Sequence, residues 1–295
     1  IKEIAISRIY KLLAISAKIL DWFFTIILHF PAEEVYRISS LVDIRIVLLL
    51  LQVMLFEKPH IIIVDEYYSL VPIAWIIKRL YLKPSLLVFD AHNIDTDRFI
   101  KLYPEKHLFV HIIKIIESLA CKLSDLILVV SYHDMIRAYH LLKCSEKIMI
   151  VPNPADLSEI EDEITKLRDI YKGLFGNRRP IIVFHGDFRY MPNREALLII
   201  LRKIVPKVIK DFPNALFVII GPGLPRMTSQ HIVLTGYVKD LYALLSTADV
   251  AIVPLLHGGG TRIKILEYMA SGVPVISTPI GSEGFMFGNF LGIIL

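Results

Sequence analysis

The stretch Val253–Gly284, VPLLHGGGTRIKILEYMASGVPVISTPIGSEG, gathers the residue types that an anionic ligand needs. A strand-like apolar run ends at Pro254, and Gly258, Gly259 and Gly260 follow. Glycines let backbone N–H groups approach an anion closely, and a helix N-terminus favours negative charge. Thr261 is of a type that caps helices, and the spacing after it predicts a helix over Arg262–Ser271. Arg262 and Lys264 then fall in the first turn, where cations oppose the helix dipole and cost a little stability. Two of them there make sense if a diphosphate occupies the site. Glu267 lies one turn further on, on the side of Ile263 and Ala270 in an otherwise apolar helix. A carboxylate there needs partners, and a ribose diol supplies two hydroxyl donors. The residues alone leave a second reading open: a glycine-rich turn followed by an i, i+3 Lys264–Glu267 pair on a surface helix.

These residues need elements to position them. Short apolar runs recur at Ile61–Val64, Leu86–Phe89, Leu126–Val130, Ile148–Val151, Ile181–Phe184, Leu216–Ile220, Val250–Val253 and Val273–Ser277. They are continuously apolar, as expected for parallel strands covered on both faces. Helical patterns separate them, among them Glu105–Leu123 and Asn193–Asp211, and Ser131 with Asp134 reads as the capping box of another helix. Alternating strands and helices predict an α/β, doubly wound fold. The run Val151-Pro152-Asn153-Pro154 precedes a polar helical stretch, Asp156–Tyr171, and the strand pattern restarts after Gly176–Pro180. The expected organisation is therefore an N-terminal Rossmann-like domain over 1–155, a linker helix over 156–178 and a C-terminal Rossmann-like domain over 179–295. Ligands are expected outside the carboxyl ends of the strands and in a cleft between the domains.

The composition narrows the classes further. The chain has 295 residues, 33 Lys+Arg and 29 Asp+Glu, a net charge of +4 that is too mild to argue for nucleic acid. At 55% hydrophobic residues it is too apolar for a disordered chain. Cys121 and Cys144 are the only cysteines, which excludes a disulfide scaffold and fits a reducing, cytoplasmic compartment. A membrane span needs about 20 mostly apolar residues. Ile46–Phe56 is too short, and Leu12–Phe30 is broken by Lys18 and Asp21. Near the start, Arg8, Lys11 and Lys18 share one helical face opposite Ile6, Ile9, Leu13 and Leu20, with Trp22-Phe23-Phe24 following. Such a helix fits peripheral contact with the inner face of a cell membrane, or simple packing on the N-terminal sheet. Starting at Ile1 and ending on an apolar run, the chain is expected to be truncated at both ends.

Several segments in order also resemble glycosyltransferase family 4, the retaining nucleotide-sugar transferases of the GT-B fold. They are Lys58–Val64, Asp90–Asn93, Val151–Asn153, Gly186–Asn193 (GDFRYMPN), Gly221–Gly223 and GGGTRIKILEYMASGVPVIST, together covering about residues 58–285. The last segment is the most specific, and its Gly-x-Gly-Thr-Arg-x-Lys marks one branch. The resemblance implies two Rossmann-like domains facing a cleft and transfer of a sugar from a nucleoside diphosphate to a glycan or lipid-linked hydroxyl acceptor. It assigns the donor ribose to Glu267 and the diphosphate to basic residues of the C-terminal domain. It implies donor contact by Gly186 and the Gly258–Thr261 loop, and it places His92 near the donor sugar as the catalytic candidate. Two departures stand out. The family's second glutamate, eight positions before Glu267, is Gly259 here, and the basic residues of the loop after the first C-domain strand are Asp187 and Asn193. Arg262 and Lys264 are therefore expected to take over the charge neutralisation.

Other signals count for less. Asp95-Thr96-Asp97 spells the D-x-D of metal–diphosphate sites, but three-residue acidic matches are common. His107 and His111 share a helix face without a third ligand nearby. No metal and no cofactor are expected. The alternatives to a transferase are a non-catalytic binding module of the same fold and a nucleotide-sugar epimerase, which would need acid/base carboxylates.

Overall fold

The computed structural model describes residues 44–81, 84–144, 147–154, 163–227, 229–285 and 293–294. The chain divides into two compact units, Ile1–Pro152 and Asn153–Leu295. The basic amphipathic segment near the start lies outside the described residues.

In the first unit, helix α1 (Ile44–Glu57) leads into β1 (Ile61–Asp65), α2 (Val71–Tyr81), β2 (Leu86–Ala91), α3 (Asp95–Leu102), α4 (His107–Leu123), β3 (Leu126–Val129), α5 (Tyr132–Leu142) and β4 (Ile148–Ile150). The strands pair in parallel in the order β1-β2-β3-β4. β-branched and leucine side chains suit this pleated, mostly buried setting. Leu87, Phe89, Ile127 and Val129 join Met54, Ala74, Phe99, Phe109 and Ile113 in one core. The expectation of cover on both faces fails for β1. Ile62 and Val64 are buried, but Ile61 and Ile63 are 57% and 59% exposed, because the helices described pack on one face of this edge strand.

The turns carry their own signals. Ser131 caps α5, its hydroxyl accepting the Asp134 backbone N–H at 3.1 Å, as the capping box predicts. α3 is capped differently, since Ile94 has no polar side chain to offer. The buried carboxylate of Glu117, on α4, accepts the backbone N–H groups of Asp95 (2.8 Å) and Thr96 (2.9 Å) and the Thr96 hydroxyl (2.6 Å). Burial, aided by the neighbouring Asp95, lifts its pKa to about 7.

The second unit contains α6 (Glu163–Phe175), β5 (Ile181–His185), α7 (Met191–Ile199), α8 (Val205–Asp211), β6 (Leu216–Ile220), β7 (Ile232–Gly236), α9 (Leu241–Leu245), β8 (Val250–Val253), α10 (Ile263–Ala270), β9 (Val275–Ser277) and β10 (Ile293–Ile294). All strands run parallel in the order β10-β9-β8-β5-β6-β7. Every residue of β5 and β6 is buried, as their continuous apolar runs predict for the middle of a covered sheet. The polar stretch before this sheet forms α6, whose Tyr171 and Phe175 pack on the second unit's core. The uninterrupted helix expected over Asn193–Asp211 is split by a π-turn at Ile200–Ile204. Pro206 lacks the N–H that would serve the carbonyl four residues earlier, so the ladder widens just before it. Among the described residues no helix is long and apolar enough to cross a membrane.

Removing the Glu117 side chain leaves three buried donors without their acceptor, each costing about 1–3 kcal/mol. Glu117→Ala is expected to lower unfolding stability by about 3 kcal/mol or more in urea titrations. Glu117→Gln, which keeps one acceptor oxygen, should lose less.

Candidate functional site

Strand order makes the site of the second unit. From β5 the chain moves outward through β6 and β7, then returns to β8 on the other side of β5 and continues outward. The connections after β5 and β8 therefore leave in opposite directions, and a crevice opens at the carboxyl ends of these two strands. His185 ends β5 and Gly186 follows it, while the connection after β8 carries Gly258–Thr261 into α10 with Arg262, Lys264 and Glu267. The structure thus brings these predicted residues to one switch point.

Gly186 is where the main chain meets the side chains of two helices. A Cβ there would lie 2.8 Å from Nδ2 of Asn193 and 3.0 Å from Nζ of Lys264. Nζ of Lys264 donates to Oδ1 of Asn193 at 2.9 Å and stands 4.5 Å from the centre of the Phe184 ring. Asn193 in turn donates to the Asp187 carbonyl at 2.8 Å. Burial first, and the nearby Arg262 second, hold the Lys264 amine far below its usual pKa, at about 7, with Glu267 pulling the other way. Lys264 from α10 thus delivers its amine to the loop after β5, and the surface Lys264–Glu267 pair is not what forms.

Glu267 turns to a residue that the motifs do not single out. Its Oε2 lies 3.2 Å from Nε2 of His185, a buried nitrogen that makes no hydrogen bond. The His185 backbone N–H donates to the Tyr268 hydroxyl at 2.9 Å, and the two rings meet edge-on at 4.8 Å. Burial lowers the proton affinity of His185 against the pull of Glu267, so the ring is held toward its neutral form. Burial likewise pushes the Tyr268 phenol up. The legible signal for His185 is position: it is the one polar residue of IIVFH, at the carboxyl end of a strand, where ligands of parallel sheets bind.

In the glycine loop, Gly258 and Gly260 take φ of +127° and +72°, conformations that suit residues without a side chain. Nη1 of Arg262 donates to the carbonyls of Gly259 and, at 2.9 Å, Gly260, so the guanidinium braces the loop. The expected Thr261 cap is not formed. α10 starts at Ile263 with Arg262 at the cap position and no side-chain cap bond, and the Thr261 hydroxyl is buried without a hydrogen-bond partner. The chain stays extended through Arg262, which carries Thr261 one residue too early to reach the helix.

His92 belongs to the first unit, just past β2. Its Nε2 lies 2.7 Å from Oδ1 of Asp65, which ends β1 and pairs in register with Asp90. Burial, and the charge of Asp65, raise the Asp90 carboxyl above its usual range, with His92 opposing them. Among the described residues Asp65, Asp90 and His92 form the set of three whose ligand atoms lie within 4.8 Å of one another, the spacing a shared metal ion would need. The D-x-D carboxylates are engaged elsewhere: Asp95 with Arg98 at 3.1 Å, and Asp97 with Lys101 at 2.8 Å and Arg137 at 3.1 Å. His107 and His111 are exposed.

Comparisons with known proteins agree with this geometry. Residues 179–288 match the family model of group 1 glycosyl transferases, so the match covers the unit that carries the switch-point residues. Among solved structures, sucrose-phosphate synthase of Thermosynechococcus elongatus aligns with a TM-score of 0.65 at 15% identity, over 85% of this chain and 63% of that one. HepE of Anabaena in complex with UDP aligns at 0.60 and 15% identity, over 79% and 63%. A UDP-forming trehalose-phosphate synthase of Burkholderia xenovorans with glucose-6-phosphate aligns at 0.60 and 15%, over 85% and 65%. The fold is α/β of the GT-B type. A Klebsiella pneumoniae protein described as an uncharacterized 44.6 kDa protein of the cps region is 28% identical over 35% of this chain and 30% of its own length. The chain thus spans under a third of that curated relative and under two thirds of these solved chains.

The Lys264 amine gives a pH signature. Its proton is bound weakly in the folded chain and at the ordinary value in the unfolded one, so folding releases it between about pH 7 and 10.5. The unfolded state binds more protons in that window, and this group's contribution to stability rises with pH. Lys264→Met is expected to remove that rise, read as the difference between wild-type and variant urea stability at about pH 6, 8 and 10.

Proposed function

We propose that the chain is a family 4 glycosyltransferase that moves a sugar, with retention, from a nucleoside diphosphate to a hydroxyl acceptor on a glycan or lipid-linked saccharide. The observation that carries this is the buried Lys264 amine beside Arg262 at the β5/β8 switch point, one helical turn from Glu267. A buried amine whose hydrogen-bond partner is a neutral amide, with a second cation close by, suits an anionic ligand. The group 1 match over 179–288 and the likeness to HepE, solved with UDP and with UDP-glucose, support the same class.

In this reading Lys264 and Arg262 take the diphosphate, and the Gly258–Gly260 loop and Gly186 let it approach the main chain. Glu267 takes the ribose. Charge that develops on the departing diphosphate meets fixed cations in a dry site, which is electrostatic stabilisation of a leaving group. We assign that neutralisation to these side chains, without a metal ion or other cofactor. His92 stands by the anomeric centre, where an imidazole hydrogen-bonds sugar hydroxyls or steadies positive charge. Action on a lipid-linked acceptor places the enzyme in the cytoplasm, against the inner face of the membrane. The domain scheme of 1–155, 156–178 and 179–295 serves this division into acceptor side and donor side.

Calorimetry with UDP, GDP, ADP and dTDP tests the proposal. One nucleotide is expected to bind. Lys264→Ala and Arg262→Ala should each weaken it about 10- to 100-fold, the loss of a charged hydrogen bond worth about 1.5–3 kcal/mol. A folded chain that binds none of the four, or variants that bind as the wild type does, would overturn it. Product analysis with a labelled donor then tests transfer and anomeric configuration.

A further inference from the structure

We propose that the outer face of α4 and α5 is a contact surface that lays the first unit on a bilayer of anionic lipids. Such a surface deepens the reading of a lipid-linked acceptor and rests on that reading for its purpose.

The strands of the first unit run in simple order, so right-handed crossovers place the helices that connect them on one face of the sheet. In that layer α4 packs against α3 and α5, and its far side meets water. A surface helix of a globular protein turns charged and polar residues outward. α4 departs from this. Leu108, Ile115 and Leu119 stand at i, i+7 and i+11 on one stripe, and the first two are each 54% exposed. Lys114, Lys122, His107 and His111 are exposed beside that stripe. α5 repeats the pattern, with Tyr132, Ile136 and Tyr139 exposed next to His133, His140 and Lys143. No exposed residue of either helix is acidic. Their two carboxylates, Glu117 and Asp134, are buried. Where α3 gives way to α4 a cavity of about 270 Å³ opens, lined by Tyr103, Pro104 and Val110 together with His107, His111 and Lys114. Apolar walls beside an ammonium suit a lipid phosphate and the first carbons of its chain.

The mixture of side chains selects the partner. A contiguous apolar surface edged by polar groups marks a protein or membrane contact. Nucleic acid calls for dense positive charge, which a stripe of leucine and isoleucine dilutes. Protein interfaces are enriched in arginine and depleted in lysine. α4 has no arginine, and Arg137 of α5 is engaged with Asp97 and Asp134, its side chain only 16% accessible. Two copies meeting through this face would oppose like charges. A bilayer accepts every group present. Lysine stems lie along apolar neighbours while the ammonium reaches anionic headgroups, and tyrosine rings favour the same level.

The test is flotation of the whole chain, without nucleotide, on vesicles of phosphatidylcholine alone or with about 30% phosphatidylglycerol. The chain should float with the anionic vesicles, stay behind with the neutral ones, and be released by about 0.5 M salt. Lys114→Gln with Lys122→Gln should lower the partition about 10- to 30-fold, at about 5-fold for each charge near the surface. Ile115→Ser with Leu119→Ser should lower it about 10-fold or more, because the apolar stripe is lost. Lys207→Gln with Lys210→Gln removes the same charge from the exposed side of α8 and should leave the partition unchanged. A folded chain that ignores anionic vesicles overturns the proposal. A partition that falls no further in the α4 variants than in the α8 control also overturns it, and puts the contact on another segment such as that of Arg8, Lys11 and Lys18. Self-association without lipid that Ile115→Ser with Leu119→Ser abolishes, read by sedimentation, overturns it in favour of a second copy. If an α4 variant does not fold, Tyr139→Ser with Lys143→Gln carries the same expectation on α5. Vesicle binding by a chain that binds no nucleotide overturns the transferase reading and leaves the contact standing, whereas nucleotide binding without vesicle binding overturns this inference alone.

Discussion

A reversal of strand order at β5 is the constraint on which the second unit depends. Right-handed crossovers carry the chain outward to β7, and the only way to extend the sheet on its other side is to return to β8. Two adjacent parallel strands whose connections diverge leave their carboxyl ends uncovered by either connection. Backbone carbonyls and helix N-termini meet there, so polar side chains collect at that spot. His185 ends β5, Asn193 comes from α7, and Lys264 and Glu267 come from α10. In the first unit the described strands follow in simple order, and no such reversal gathers residues. Asp65, Asp90 and His92 meet there only because β1 and β2 end in register.

The switch point is assembled against the preferences of a stable core. A lysine amine, an imidazole and a carboxylate lie close together on elements otherwise made of apolar residues and Tyr268. Lys264 donates to Asn193, Arg262 donates to the Gly259 and Gly260 carbonyls, and His185 stands 3.2 Å from the Glu267 carboxylate. The close approach at Gly186 lets two helices reach the main chain of β5's loop at once. Such an arrangement costs stability and is held because β5 and β6, buried throughout, over-determine the backbone beneath it.

Much of this architecture is legible in the residues themselves. Eight apolar runs mark strands, with burial on both faces removing the need for alternation in β5 and β6, and the Gly-rich segment at 258–260 marks a main chain that must come close to something. The short strand Ile232–Gly236 escapes such a reading, since its five residues include Thr235 and Gly236 and look like loop. The one-sided burial of β1 is invisible because Ile61 and Ile63 are as apolar as Ile62. Residues that act across long separations are equally hidden: Glu117 caps a helix that starts 22 residues earlier, and Lys264 finds Asn193 from 71 residues away. Thr261 misleads because its type promises a cap that its extended neighbour denies it. Local chemistry is readable in a sequence, and pairings made by the sheet are not.

A lysine near neutrality in a site proposed to take an anion looks at first like a weakness, yet the physics favours it. A permanently charged amine in a dry crevice carries a large self-energy whenever the crevice is empty, and the fold would have to bear it at all times. With its proton affinity lowered to about 7, Lys264 sheds part of that burden in the empty site. An arriving anion raises the proton affinity again by ordinary Coulomb attraction, so the charge is fullest when it is opposed. Arg262 cannot behave this way, because a guanidinium keeps its proton in any protein setting. It is braced instead on the Gly259 and Gly260 carbonyls, whose dipoles offset part of its charge. The two cations are thus not interchangeable: the arginine keeps its charge against the loop carbonyls, and the lysine regains its charge as an anion arrives.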